Sequence, residues 1–161
     1  MMKKIATSLL AVLLPLAAAA QEPVSKSQYE LDMQGVETER QAIVAANLPL
    51  TDAEAEAFWP AYRRYRDAVA DLNRKSFDLI MEYAQLYNAG GVTDEAGQRL
   101  TQAAIDNDRA RLQAREKQWR EVLEVLPGAK AARYMQIENK LDALRRAELT
   151  REIPLLEPAS N

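Results

Sequence analysis

Residues 51–88 read TDAEAEAFWPAYRRYRDAVADLNRKSFDLIMEYAQLYN. Within them Phe58, Tyr62, Tyr65, Val69, Leu72, Ser76, Leu79, Tyr83 and Leu86 alternate in steps of four and three, the a/d seam of an amphipathic helix. No glycine interrupts Asp52 to Asn88, and at ~1.5 Å per residue such a helix is about 55 Å long, too long for a compact globule. Thr51 and Glu54 are spaced as a capping box, with Leu50 ahead of them as a hydrophobic staple. Pro60 lies beyond the first turn and cannot donate to the carbonyl of Glu56, which predicts a kink there or a short helix ending near Trp59.

Upstream, Tyr29, Met33, Val36 and Ile43 keep helical spacing as far as Asn47, and Leu48-Pro49-Leu50 breaks that first helix. Downstream, Asn88-Ala89-Gly90-Gly91 supplies stop residues and Thr93-Asp94-Glu95 caps the next helix, so the two long helices form a tight hairpin. The third helix is expected from Asp94 to about Leu126, with an apolar stripe of Leu100, Ile105, Leu112, Trp119, Val122, Leu123 and Leu126. Asn107, Asp108, Arg111 and Arg115 crowd its middle, so one long face is expected to stay wet. Pro127, at a first helical position, opens a fourth helix in which Tyr134, Ile137, Leu141 and Leu144 keep seam spacing to about Arg151. Residues 28–152 then make a single helical domain, and 153–161 an extended apolar tail. The reading is all-α: an elongated antiparallel helical hairpin of about four helices. It offers more amphipathic length than a lone hairpin can bury, which makes a homodimer the natural remedy.

The whole chain has 161 residues, 21 Lys+Arg against 24 Asp+Glu, and neither Cys nor His. Disulfides, thiolate ligands, cysteine nucleophiles, the usual general base and the commonest metal ligand are therefore missing. Met1-Met2-Lys3-Lys4, the apolar run Ile5 to Leu16 and the small residues Ala17 to Ala20 read as a secretory signal peptide of residues 1–20, cut after Ala20 and followed by a polar leader at 21–27. The apolar run is shorter than the ~20 residues a membrane span needs, so no stable membrane insertion is expected after cleavage. Losing Lys3 and Lys4 leaves 19 basic and 24 acidic residues, a net charge of −5, which argues against nucleic acid as a partner. A periplasmic location is expected.

Candidate chemistry is thin. In Asp106-Asn107-Asp108 the two carboxylates point roughly 200° apart on a helix and cannot share one cation. Ser76 and Lys75 are sequence neighbours that do not face each other, and Gly90-Gly91 lacks the Lys-Ser/Thr of a phosphate loop. No enzyme, cofactor or metal is expected. A second stripe on the long helix, Trp59, Arg66, Asn73, Ile80 and Tyr87, repeats every seven residues. It reads either as a widened core face or as an open surface for a partner chain. In the second reading Trp59, Arg66, Ile80 and Tyr87, with Arg111 and Arg115 opposite, line a concave face for an unfolded client.

Leu50-Thr51-Asp52-Ala53-Glu54 after a short helix, and Leu126-Pro127-Gly128-Ala129-Lys130 further on, resemble in layout the paired LTxxQ motifs of the Spy/CpxP-like periplasmic proteins, with Glu54 and Lys130 in place of Gln and Pro127 in place of Thr. Phe58-Trp59-Pro60-Ala61-Tyr62 and the run Arg133 to Lys140 look like a divergent branch of that group. The resemblance implies a long bent helical hairpin in a cradle-shaped antiparallel dimer. It also implies ATP-independent holding of unfolded proteins or, alternatively, an adaptor role on the sensor domain of an envelope-stress system.

Overall fold

A computed structural model describes residues 25–156. The expected signal peptide, the leader as far as residue 24 and the tail beyond residue 156 lie outside them. Four helices make up the described chain: α1 Lys26–Asn47, α2 Asp52–Asn88, α3 Asp94–Val125 and α4 Gly128–Glu152, with no strand among these residues. None of the helices is long and apolar enough to cross a membrane.

Local chemistry sets the helix ends. Ser25 Oγ accepts from the Gln28 amide at 3.2 Å and Thr93 Oγ1 from the Ala96 amide at 3.3 Å. At α2 both halves of the capping box form: Thr51 Oγ1 accepts from the Glu54 amide at 3.3 Å while Glu54 Oε2 accepts from the Thr51 amide at 2.8 Å. At the other end of α2, Gly90 and Gly91 hold φ of 110° and 132°, values that glycine adopts without the clash a Cβ would bring. That geometry lets the Gly91 amide donate to the Leu86 carbonyl at 3.1 Å and turns the chain into α3.

Two similar joints close the opposite end, the base of the molecule. Leu48 and Leu126 are both buried, both donate their amide to the residue four back (Val44 and Val122, each at 2.9 Å), and both precede a proline. Here the core forms from Val44, Leu48, Phe58, Tyr62, Val122, Leu126, Ala131 and Tyr134, with Leu50, Trp59 and Trp119 packed around it. Phe58 meets Tyr134 edge-on at 5.0 Å between centroids. At roughly 1.5–3 kcal/mol for each large side chain taken from water, this cluster is the main apolar driving force of the fold. Lys130 Nζ donates to Glu54 Oε2 at 2.6 Å and Arg133 Nε to the Asn47 carbonyl at 2.6 Å, tying one joint to the other.

From this base α1 runs back along α2, and α4 along α3. Tyr29 reaches the Asn73 carbonyl, Arg40 reaches Glu138 and Asp142, and Tyr83 reaches the Pro154 carbonyl. The result is an up-down-up-down arrangement over the lower part of the long α2–α3 hairpin, whose turn projects beyond it as the tip. A core thus forms within one chain through α1 and α4.

Several expectations are corrected. α2 is continuous through Pro60; the ring lies on the exposed side, while buried Phe58, Ala61 and Tyr62 hold the turns on either side in register. Pro127 is the residue before α4, which starts at Gly128. On α3, Ile105, Leu112 and Leu123 face outward, while Asn107 and Gln118 face inward beside Leu100 and Val122. The wet middle is therefore partly the interior. Asn107 Nδ2 donates to the Leu72 carbonyl at 3.0 Å and to Ser76 Oγ at 2.8 Å, and Gln118 Nε2 to the Tyr134 hydroxyl at 3.2 Å. These bonds offset the cost of burying amides. Val36 and Leu144 are likewise exposed, and the inward positions of α1 are Arg40 and Val44.

Candidate functional site

Above the core sits a layer of buried charge. Arg40 donates through Nη2 to Glu138 Oε2 at 2.7 Å and to Asp142 Oδ1 at 2.6 Å, and Arg66 donates through Nε to Glu37 Oε2 at 2.8 Å and through Nη1 to Glu138 Oε2 at 3.3 Å. Glu138 is only 1% exposed and Arg66 6%. Burial works against the Arg66 charge, yet the Glu37 and Glu138 carboxylates hold it above its ordinary value, and Arg40 is raised in the same way against its own burial. Tyr62 and Tyr134 are pushed upward by burial first and then by the Glu138 charge, so both phenols stay neutral. Each charge in this layer is satisfied by another, and the layer locks α1, α2 and α4 together.

Higher still, where α2, α3 and α4 part, lies an open cleft of about 410 Å³. Val69, Phe77, Leu79, Ile80, Leu149 and Ile153 give it apolar walls, and Arg111, Arg145 and Arg146 bring three guanidiniums to it. Asn73 Nδ2 and Asn107 Oδ1 are buried in the residues lining it with no hydrogen-bond partner among the described residues. Burial first, and then the Arg145 and Arg146 charges, push Arg111 below its ordinary value.

The six residues expected to share a concave face fall into different surroundings. Arg66 belongs to the buried charge layer. Trp59 is half-buried at the core edge, its ring edge-on to Phe58 and Tyr62 at 5.1 and 5.3 Å. Ile80 and Arg111 do come together, in the cleft. Tyr87 lies near the tip against Tyr83, 5.9 Å away between rings, and Arg115 is half-buried without an ion pair among the described residues. Seven-residue spacing drifts about 20° per heptad on a straight helix, so from Trp59 to Tyr87 the stripe turns through about 80° and cannot keep to one face. For the Trp59–Arg66–Asn73 part, the widened core face is the correct reading.

The capping and motif residues fall where their spacing puts them: Leu50 against the core, Thr51 and Glu54 in the capping box, Leu126 buried and Pro127 at the N-cap of α4. Sequence reasoning missed Arg40, Glu37, Glu138 and Asp142. A signal existed for two of them, since Arg40 precedes Val44 and Leu48 at four-residue steps and Glu138 follows Ala131 and Tyr134 at seven and four. Ion pairs also join neighbouring helices, Arg64 with Glu121 and Arg99 with Glu82. Asp106 pairs with Arg109. Compared with protein-family models, curated proteins and solved structures, the chain has no significant match.

Proposed function

We propose that this chain is an exported, non-enzymatic, periplasmic chaperone that holds unfolded proteins without nucleotide. The observation that carries the reading is on α3. Ile105, Leu112 and Leu123 are 48%, 56% and 43% exposed, and their separations of seven and eleven residues put them within about 20° of one another on the helix. A lone exposed leucine is ordinary, whereas three exposed apolar side chains on one face over about 27 Å, at ~1.5 Å per residue, with exposed Glu116 between the second and the third, are separate footholds for weak burial of apolar segments. Exposed Arg109, Glu116 and Arg120 border them, suited to the charged and backbone groups of an extended chain. The client surface so placed is on α3 rather than on the Arg66 stripe of α2. The resemblance to the Spy/CpxP-like group and the Lys-led apolar leader support the same role and location.

Dimerisation belongs to the proposal. Beyond the contact of Tyr83 with the Pro154 carbonyl, α2 and α3 alone face one another at the tip, and Leu86, Tyr87 and Val92 there are half-buried; a second copy supplies the missing cover. Light scattering should give twice the chain mass, and a monomer at all concentrations removes the dimer from the reading. The test of function is suppression of aggregation of several unrelated unfolded proteins. Replacing Ile105, Leu112 and Leu123 together by Ser should abolish suppression while leaving the thermal melt in place, because the side chains removed are already exposed. Unchanged suppression overturns the assignment. Capture of one folded partner with no suppression by the wild type favours the adaptor role instead.

A further inference from the structure

The cleft between α2, α3 and α4 combines three properties. Its volume of about 410 Å³ lies within the ~300–1,000 Å³ of small-molecule sites. Phe77, Ile80, Leu149 and Ile153 give it an apolar lining. Among the described residues none of Arg111, Arg145 and Arg146 has an ion-pair partner; Arg145 makes only a 3.3 Å contact to Met33 Sδ, and the guanidiniums of Arg111 and Arg146 donate to no acceptor. A thioether is a weak acceptor, so two half-buried guanidiniums, Arg111 and Arg145, are left short of protein partners, with exposed Arg146 beside them.

Two carboxylates, Asp142 and Asp108, also line the cleft and favour the Arg111 charge from a distance, but neither forms an ion pair with the three guanidiniums among the described residues. Asp142 is engaged by Arg40 at 2.6 Å, and exposed Asp108 forms no ion pair among the described residues. Elsewhere in the molecule the buried arginines, Arg40 and Arg66, are matched by carboxylates. The cleft is thus a place where three guanidiniums gather against apolar walls with two carboxylates, one of which is already held by Arg40. Tyr29 and Phe77 are stacked on one another at 4.1 Å, which leaves neither ring free to sandwich a planar base.

We infer that this cleft binds a monomeric amphipathic organic anion, whose head group is held by Arg111, Arg145 and Arg146 and whose hydrocarbon body lies along Ile80, Leu149 and Ile153. Arginine forks suit a carboxylate because two parallel N–H donors meet its two oxygens. This does not rest on client holding: the apolar footholds of α3 and the cleft are different surfaces, and either can operate alone.

The test is calorimetric titration of the purified chain with decanoate, decanol and decyltrimethylammonium, each below its aggregation concentration. Decanoate should saturate at one per chain, decanol should bind about tenfold more weakly or worse, as expected for loss of a charge-assisted contact, and the cation should not bind. The double variant Arg111→Gln/Arg146→Gln should reduce decanoate to the level of decanol and leave decanol and the helical melt unchanged. Ala104 is exposed at the cleft, so Ala104→Trp should block both amphiphiles in a folded chain. Equal binding of decanoate and decanol, an unaffected double variant, or no saturable decanoate binding overturns the inference. So does co-sedimentation with phosphatidylglycerol vesicles without decanoate binding, which would make the guanidiniums a membrane-surface contact.

Discussion

Among single residues, Glu138 carries the most. Its carboxylate accepts from Arg40 and Arg66 while almost fully buried, so its loss takes one of two carboxylate partners from each buried guanidinium, leaving Arg40 with Asp142 and Arg66 with Glu37. Breaking a buried pair from one side costs roughly 3–5 kcal/mol, a large part of the total of a domain of ~5–15 kcal/mol. Glu138→Gln, which keeps the shape, should therefore lower stability by about that amount in urea denaturation. A loss below about 1 kcal/mol, the scale of exposed pairs, would mean that the guanidiniums reach water. Glu54 shows a different side of charge. The Lys130 ammonium and the Thr51 amide hold its carboxyl below the ordinary carboxylate range. The unfolded chain therefore binds more protons in that window, and stability rises with pH. The contribution is complete above the ordinary carboxyl value of about 4.3 and is lost as pH falls through the lower folded value. Stability measured across the acid range should show that slope in the wild type and a shallower one in Lys130→Met. Glu54→Gln, still able to form a capping box, should lower the slope by the Glu54 share, leaving that of Glu82, which Arg99 also holds below its ordinary value, and keep the cap.

At the scale of the element, α2 tests how far packing overrides propensity. Proline inside a helix removes a hydrogen bond and crowds the preceding turn at a cost of about 3 kcal/mol, yet α2 runs on through Pro60. Phe58 and Tyr62 are already anchored in the core on either side, and holding them outweighs one missing bond. Pro60→Ala should restore the amide for the Glu56 carbonyl and raise stability by up to about 3 kcal/mol. A fall in melting temperature would show instead that the core needs the bend the ring imposes. In α3 the same contest runs the other way. The helix is rotated so that Asn107 and Gln118 face in and Ile105, Leu112 and Leu123 face out, because Ser76, the Leu72 carbonyl and the Tyr134 hydroxyl await those amides.

The whole molecule is graded from base to tip. Four helices meet at the base around Phe58, Tyr62, Val122 and Tyr134, the charge layer and then the cleft follow, and beyond them α2 and α3 are alone. Exchange through local opening follows such differences in burial. At a dilution that leaves single chains, amides around Phe58 and Tyr134 should exchange only by global unfolding, whereas those from Tyr83 to Leu100 should exchange through cheaper local opening. Uniform protection along α2, read by hydrogen–deuterium exchange, would mean that something covers the tip in solution. A homodimer through that region would do so.

The amino-acid sequence by itself determined the four helices and the turns between them, because their causes are local. The Thr51–Glu54 box, the Thr93 cap, the Leu-Pro joints and the Gly90-Gly91 turn each act within a few residues, and a period of 3.6 is visible in any one helix. Of the six residues expected on a shared face, Ile80 and Arg111 are brought to one cleft, a pairing that the heptad stripe of α2 and the charged middle of α3 place on facing helices. Only the tertiary structure decided which faces meet. Arg66 is buried by Glu138, 72 residues away, and nothing within α2 distinguishes it from a solvated arginine. The rotation of α3 and the gathering of Arg111, Arg145 and Arg146 share that origin. A helix pattern states which faces are apolar, but the value of a charge or an amide on such a face is set by the group that packing brings opposite it.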